Sequence, residues 1–181
     1  MKYVRVMDGN KSNANGFEYK FNEVNIAKTW NPNEDDPSKF GGFNYSTYDK
    51  VLRWIHRGDT LVDVEIPNDA EWVLVDEDKG VYRTNKIIVK NPIPLTEDVV
   101  MDLYKKSNLP DRTYPDVLAL LAIRKFDKVC DKLIEDKVNK ETIDDYIKYY
   151  IEFENDINDG NYGNYFQIRS IINIYIFKKI T

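Results

Sequence analysis

Hydrophobic residues recur at every second position through the first half of the chain and at helical spacing through the second. Lys2 to Met7 alternates and predicts a first strand. Asp8 to Gly16 is a polar loop. Phe17, Tyr19 and Phe21 alternate with Glu18 and Lys20, which predicts a second strand with one buried face. Val24 to Ala27 predicts a further short strand. The Pro-, Asn- and Asp-rich run from Trp30 to Lys39 is a loop leading into Gly41 to Lys90, the stretch on which this half is centred.

The pattern in that stretch predicts strand, helix, strand, strand, strand. Gly41 and Gly42 allow a tight entry or a close backbone approach. Phe43 to Tyr45 suits a short strand. Ser46 or Thr47 offers an N-cap to a helix with the stripe Tyr48, Val51, Leu52 and Ile55, and Gly58 supplies a left-handed stop. Val62, Val64 and Ile66 alternate with Asp63 and Glu65. Trp72 to Val75 is a short apolar run, and Val81 to Val89 is the next strand. Asn91, Pro92 and Pro94 close the sheet, because proline donates nothing to a ladder.

Beyond Pro94 the period changes. Thr96 is a good N-cap, with Glu97 and Asp98 placed to favour the helix dipole. Val99, Val100, Leu103 and Tyr104 form the first stripe. Pro115 suits a helix N1 position, and Val117, Leu118, Leu121 and Ala122 continue that helix. After a break near Lys125 to Asp127, Val129, Cys130, Leu133 and Ile134 form the next stripe. Asn139 caps a helix expected to reach Phe153, and Tyr165 to Phe177 predicts a last one. The reading is an α+β chain. A β-rich part, residues 1–92, carries a mixed or antiparallel sheet with one or more helices. A helical part, residues 93–181, forms a bundle of about four helices that packs on it.

Composition narrows the function. The formal net charge is −5, which argues against a general nucleic-acid binder, since an acidic chain repels phosphate backbones. The one cysteine, Cys130, forms no internal disulfide and builds no zinc site, and His56 is the only histidine. The longest apolar run, Ile171 to Phe177, is far short of the roughly 20 residues that span a bilayer. No apolar leader is visible, so a cytoplasmic protein with no membrane partner is expected.

Candidate chemistry is sparse. His56 near a helix C-terminus could be a general base, but it lacks a partner motif, and a dipole-compensating role weighs more. Cys130 lies on an apolar stripe and reads as core. The acidic runs Glu34-Asp35-Asp36 and Asp76-Glu77-Asp78 lack the spacing of a calcium loop, so no metal site is expected. No phosphate loop or dinucleotide fingerprint occurs, so no cofactor is expected. Trp30, Phe43, Tyr45 and Tyr48 gather around Gly41 and Gly42, with Asn44 among them, and either line a ligand or partner surface or fill the core. Arg83 could bind an anion or form a cross-strand ion pair.

GFEYK at 16–20, WNP at 30–32, GGFNYS at 41–46, VEIP at 64–67 and YRTNKIIV at 82–89 together resemble an uncharacterised domain found at the N-terminus of giant-virus ankyrin-repeat proteins, with related forms in phage and bacterial chains. The resemblance covers about residues 16–90 and brings no activity with it. Val117 to Asn139 is similar to a single degenerate ankyrin-type helix pair, without the Thr-Pro-Leu-His signature. A second resemblance, Gly-x-Tyr-Phe strand, helix, Val-Glu strand, is to the ADP-ribosyltransferase-like fold. Its implied histidine, tyrosine and glutamate do not fall in place: no histidine precedes Gly41, the aligned tyrosine is Asn44, and Val81 to Val89 holds no glutamate.

The expectation is a non-enzymatic protein-interaction module of viral or phage origin, acting on a host protein in the host cytoplasm. The alternatives are a divergent ADP-ribosyltransferase-like protein that binds NAD or another nucleotide, and a virion or assembly component.

Overall fold

The computed structural model describes residues 1–12 and 15–146. The chain divides into two compact units. One comprises Met1–Thr96 with Lys106–Leu109, and the other Glu97–Lys105 with the described residues from Pro110 onward.

The first unit is a seven-stranded sheet with antiparallel pairing between its strands. The strands are β1 (Tyr3–Met7), β2 (Val24–Ile26), β3 (Phe43–Thr47), β4 (Thr60–Glu65), β5 (Trp72–Asp76), β6 (Val81–Thr84) and β7 (Lys86–Pro94). Their order across the sheet is β2-β7-β4-β1-β3-β6-β5. Alternation along paired strands puts Met7, Phe43, Tyr45, Val62, Val64, Ile87 and Val89 on one face, where they form a single core with Tyr19. Phe17 edges against Tyr19 and Phe43 at centroid distances of 4.9 and 5.0 Å, and Tyr45 stacks on Tyr82 at 5.2 Å. On the opposite face Val4, Val6 and Leu61 are buried, and the 3₁₀ helix Val51–Arg57 packs on β1 with Val51, Leu52 and Ile55 fully enclosed.

Four local expectations are corrected. Phe17 to Phe21 aims its aromatics at the core as predicted but is no strand: it bridges the sheet only at Phe21, to Val89, while Glu18 bridges Lys11 outside it. Val81 to Val89 is two strands, separated at Asn85, whose side chain caps the Glu71 amide instead. The sheet does not end at Asn91: β7 continues to Pro94, paired with Thr60 and Leu61. Three-residue β2 pairs only with Lys86 to Ile88, so β7 is an edge beyond that point and tolerates proline. Gly58 is no left-handed stop, having φ 159° and ψ −166°. Its need is space, because a Cβ there would lie 1.9 Å from the Met7 carbonyl oxygen.

The helix after β3 is 3₁₀ rather than α. With three residues per turn, positions three apart eclipse one another. Leu52 and Ile55 share one edge, and Val51, Trp54 and Arg57 share another.

In the second unit α1 (Glu97–Lys105), α2 (Tyr114–Ile123) and α3 (Asp127–Lys137) follow the predicted stripes. Val100 and Leu103 of α1 and Val129, Cys130 and Leu133 of α3 are fully buried, and α3 packs on both α1 and α2. Lys125, at φ 59°, makes the turn between α2 and α3. The Asn139 carboxamide oxygen accepts from the Glu141 and Thr142 amides at 2.8 and 3.1 Å, as an N-cap does. The rest of the helix expected to reach Phe153, and the one expected at Tyr165 to Phe177, lie outside the described residues.

Candidate functional site: an arginine-lined cleft

The double glycine is a corner built by the chain for itself. Gly41 and Gly42 take φ 69° and 70°, where other residues are strained. A Cβ on Gly41 would meet the Thr29 carbonyl oxygen at 2.4 Å, and one on Gly42 would meet the Trp30 ring at 2.7 Å. Trp30 closes over Gly42 and donates its indole N–H to Glu71 at 2.7 Å. Phe43 and Tyr45 belong to the core, and Tyr48 lies under the Lys2 and Lys106 ammonium groups. Of these aromatics, Phe43 and Tyr45 are core residues that also border a cavity each, and Trp30 braces a turn. A hollow of about 520 Å³ runs beside Gly41 and Gly42, with Phe17, Glu18 and Lys28 among its walls.

Asn44 and Arg83, also singled out from the sequence, meet on the other face. They are register partners across β3 and β6, and Arg83 donates from Nε to the Asn44 side-chain oxygen at 2.8 Å. Arg83 also donates from Nη1 to the Gly41 carbonyl at 3.2 Å. Both residues line a cleft of about 210 Å³.

That cleft exists because the sheet forks. β1 and β3 are in register only at Tyr3↔Thr47 and Val4↔Ser46, so Arg5 and Val6 part from Asn44 and Tyr45. Arg5 spans the fork: it donates to the Asn44 main-chain carbonyl and, at 3.2 Å, to the Ser12 hydroxyl, with its guanidinium over the Tyr19 ring. Its Nε is fully covered and has no hydrogen-bond partner. The 3₁₀ helix supplies the remaining wall through its eclipsed edge of Val51, Trp54 and Arg57. Arg57 rests against the Trp54 ring at 5.6 Å, which limits its freedom. Ser46, 2% exposed, also lines the cleft with its hydroxyl unpartnered.

Three arginines thus line one cleft in a chain of net charge −5. Among the described residues none of them forms an ion pair within 4 Å; the pairs of this unit are made by lysines. Burial lowers the Arg5 pKa from its ordinary value; Tyr19 opposes that shift and Arg57 adds to it through like-charge repulsion. Burial lowers that of Arg83 too, with Asp36 opposing from a distance. Both remain cations at neutral pH, because an arginine starts so far above it. The arrangement is electrostatically costly and suited to an oxyanion.

Sequence reasoning singled out Asn44, Tyr45 and Arg83 and missed Arg5, Ser46, Trp54 and Arg57. The missed residues come from three elements, and the 3₁₀ period that aligns Trp54 with Arg57 is not the period the sequence suggested. His56 stacks on Trp54 at 6.1 Å, and Cys130 is buried. Burial first, then Asp127, Asp131 and Glu97, push the Cys130 thiol up to about 12, where it is no nucleophile. No cluster able to hold a metal ion occurs among the described residues, and none of their helices is long and apolar enough to cross a membrane. No family model, curated protein or solved structure matches the chain.

Proposed function

We propose that the protein is a non-enzymatic recognition module that binds a protein partner through an anionic group of that partner, seated in the cleft between β1, β3, β6 and the 3₁₀ helix. The observation that carries this reading is that Arg5, Arg57 and Arg83, none of them ion-paired within 4 Å among the described residues, line one cleft together with Ser46, whose buried hydroxyl is unsatisfied. Unpaired buried donors cost stability, and an occupant with acceptor oxygens offsets that cost. The resemblance to the N-terminal domain of ankyrin-repeat proteins supports a protein as the bearer of the group.

Size separates this cleft from a whole-dinucleotide site; the hollow beside Gly41 and Gly42, at about 520 Å³, is a different place on the unit. Sites that enclose drug-sized molecules occupy roughly 300–1,000 Å³. The cleft, at about 210 Å³, holds a charged group and not a whole dinucleotide. Calorimetric titration with sulfate, phosphate, acetate, NAD and ADP-ribose tests the reading. It predicts saturable binding of oxyanions, with NAD no tighter than phosphate. Absence of binding by every anion, or consumption of NAD, contradicts it.

A further inference from the structure

We infer that the group the cleft recognises is a phosphate monoester dianion. The inference rests on the anion-binding reading above and names its ligand.

The choice between a carboxylate and a phosphoryl group follows from where the donors sit. A carboxylate offers two oxygens in one plane, and a single guanidinium fork satisfies them. Here the donors come from different directions. Arg5 lies in the fork between β1 and β3, Arg83 reaches in from β6, and Arg57 comes from the overlying helix. The Ser46 hydroxyl completes the set from within β3. Donors spread over several planes suit the three terminal oxygens of a tetrahedral phosphoryl group. Three arginines without an ion pair within 4 Å among the described residues, with only Asp36 acting on Arg83 from farther off, also favour a dianion over a monoanion. The Arg83 guanidinium is held by Asn44 and the Gly41 carbonyl, and that of Arg57 by Trp54, so both are positioned before the ligand arrives.

The charged and titratable groups around the cleft fix the sign of its pH dependence. Arg5 and Arg83 stay cationic. Asp36 faces Arg83 and Asp76 faces Arg53, both with pKa values below the ordinary carboxylate range, so their charge does not change above pH 5. Tyr19, Tyr45 and Tyr82 have raised pKa values and stay neutral. A rise in affinity with pH therefore comes from the second ionisation of the phosphate monoester, near pH 6.

The test is calorimetric titration of the full chain with methyl phosphate, dimethyl phosphate and acetate at pH 5 and pH 8. It predicts methyl phosphate at least about tenfold tighter at pH 8 than at pH 5, and at least about tenfold tighter than the two monoanions at pH 8. Arg57→Met and Arg83→Met each lose about tenfold or more, and Lys132→Met, on the second unit, loses nothing. Equal binding of acetate and methyl phosphate, with no rise toward pH 8, overturns the phosphoryl assignment and leaves the anion cleft standing. No saturable binding of any of the three overturns both. A phosphoserine peptide compared with AMP identifies the carrier: AMP tighter by about tenfold or more overturns the protein source.

Discussion

Arg5 donates a hydrogen bond to the main-chain carbonyl of Asn44 across the fork where β1 and β3 part. The bond replaces the ladder contact that the fork removes, so Arg5 both closes the sheet and charges the cleft. Arg5→Met deletes the donor to Asn44 and to Ser12 while keeping most of the side chain's bulk. Leaving partly buried acceptors unpaired costs about 1–3 kcal/mol, measured as a lower urea midpoint at unchanged slope.

Ser46 behaves the other way. Its hydroxyl is buried without a partner, so Ser46→Ala removes an unsatisfied group and opens little space. Stability is unchanged or rises by up to about 1 kcal/mol. Anion affinity falls. A residue whose removal helps the fold and harms binding separates a ligand-directed role from a structural one, and denaturation with titration on the same sample reads both.

Gly58 carries the contact between the end of the 3₁₀ helix and β1. With the Met7 carbonyl oxygen 1.9 Å from where a Cβ would stand, Gly58→Ala forces the two backbones apart. The cost falls in the exceptional range of about 4 kcal/mol or more, read from chemical denaturation. Gly9→Ala, where a Cβ meets nothing within 4 Å, pays only the left-handed backbone penalty, about 1–2 kcal/mol.

Asp63 sets a pH dependence on the wet side of β4. It accepts from the Asn91 side-chain amide at 3.0 Å and pairs with Lys2 at 2.9 Å. Burial acts to raise its pKa, but the bonds from Asn91 and Lys2 outweigh burial and hold it below the ordinary value. A depressed folded pKa stabilises the fold above the unfolded value, near 3.9, and that stabilisation is lost as pH falls through the folded value. Asp63→Asn is therefore less stable than the parent at pH 7, by less than about 1 kcal/mol because the pair is partly exposed. The difference closes at low pH. Denaturation midpoints at pH 7 and pH 3 check it.

Cys130 in α3 has no exposed surface and a thiol pushed up to about 12. Thiol reagents at pH 8 leave it unmodified in the folded chain and react at once in denaturant. Rapid labelling without denaturant contradicts the packing of α3.

The parts of the fold that were legible in the sequence are those set by local period. Alternation found Val62 and Val64, helical stripes found Leu103 and Leu133, and the need for glycine at 41 and 42 followed from two adjacent residues without a Cβ. What was not legible depends on tertiary context. Pro92 and Pro94 remain in a strand because β2 is too short to need their amides. Phe43 and Tyr45 are packed into the core under the Phe17 to Phe21 segment and still border a hollow and the cleft respectively, a double role no local pattern shows. The cleft itself depends on a register that stops after two pairs and on a helix wound at three residues per turn. Neither leaves a mark in a local pattern, so Arg5, Ser46 and Arg57, scattered over more than fifty positions, gave no common signal.

The most direct measurement is a nitrogen-edited NMR titration of the arginine side chains with methyl phosphate at pH 8. The account predicts that the Arg57 and Arg83 Nε–H signals move together along one saturable curve while that of Arg124, on the second unit, stays fixed. Arginine signals that all drift in parallel without saturating, or an Arg57 and Arg83 pair that does not move at all, contradict it.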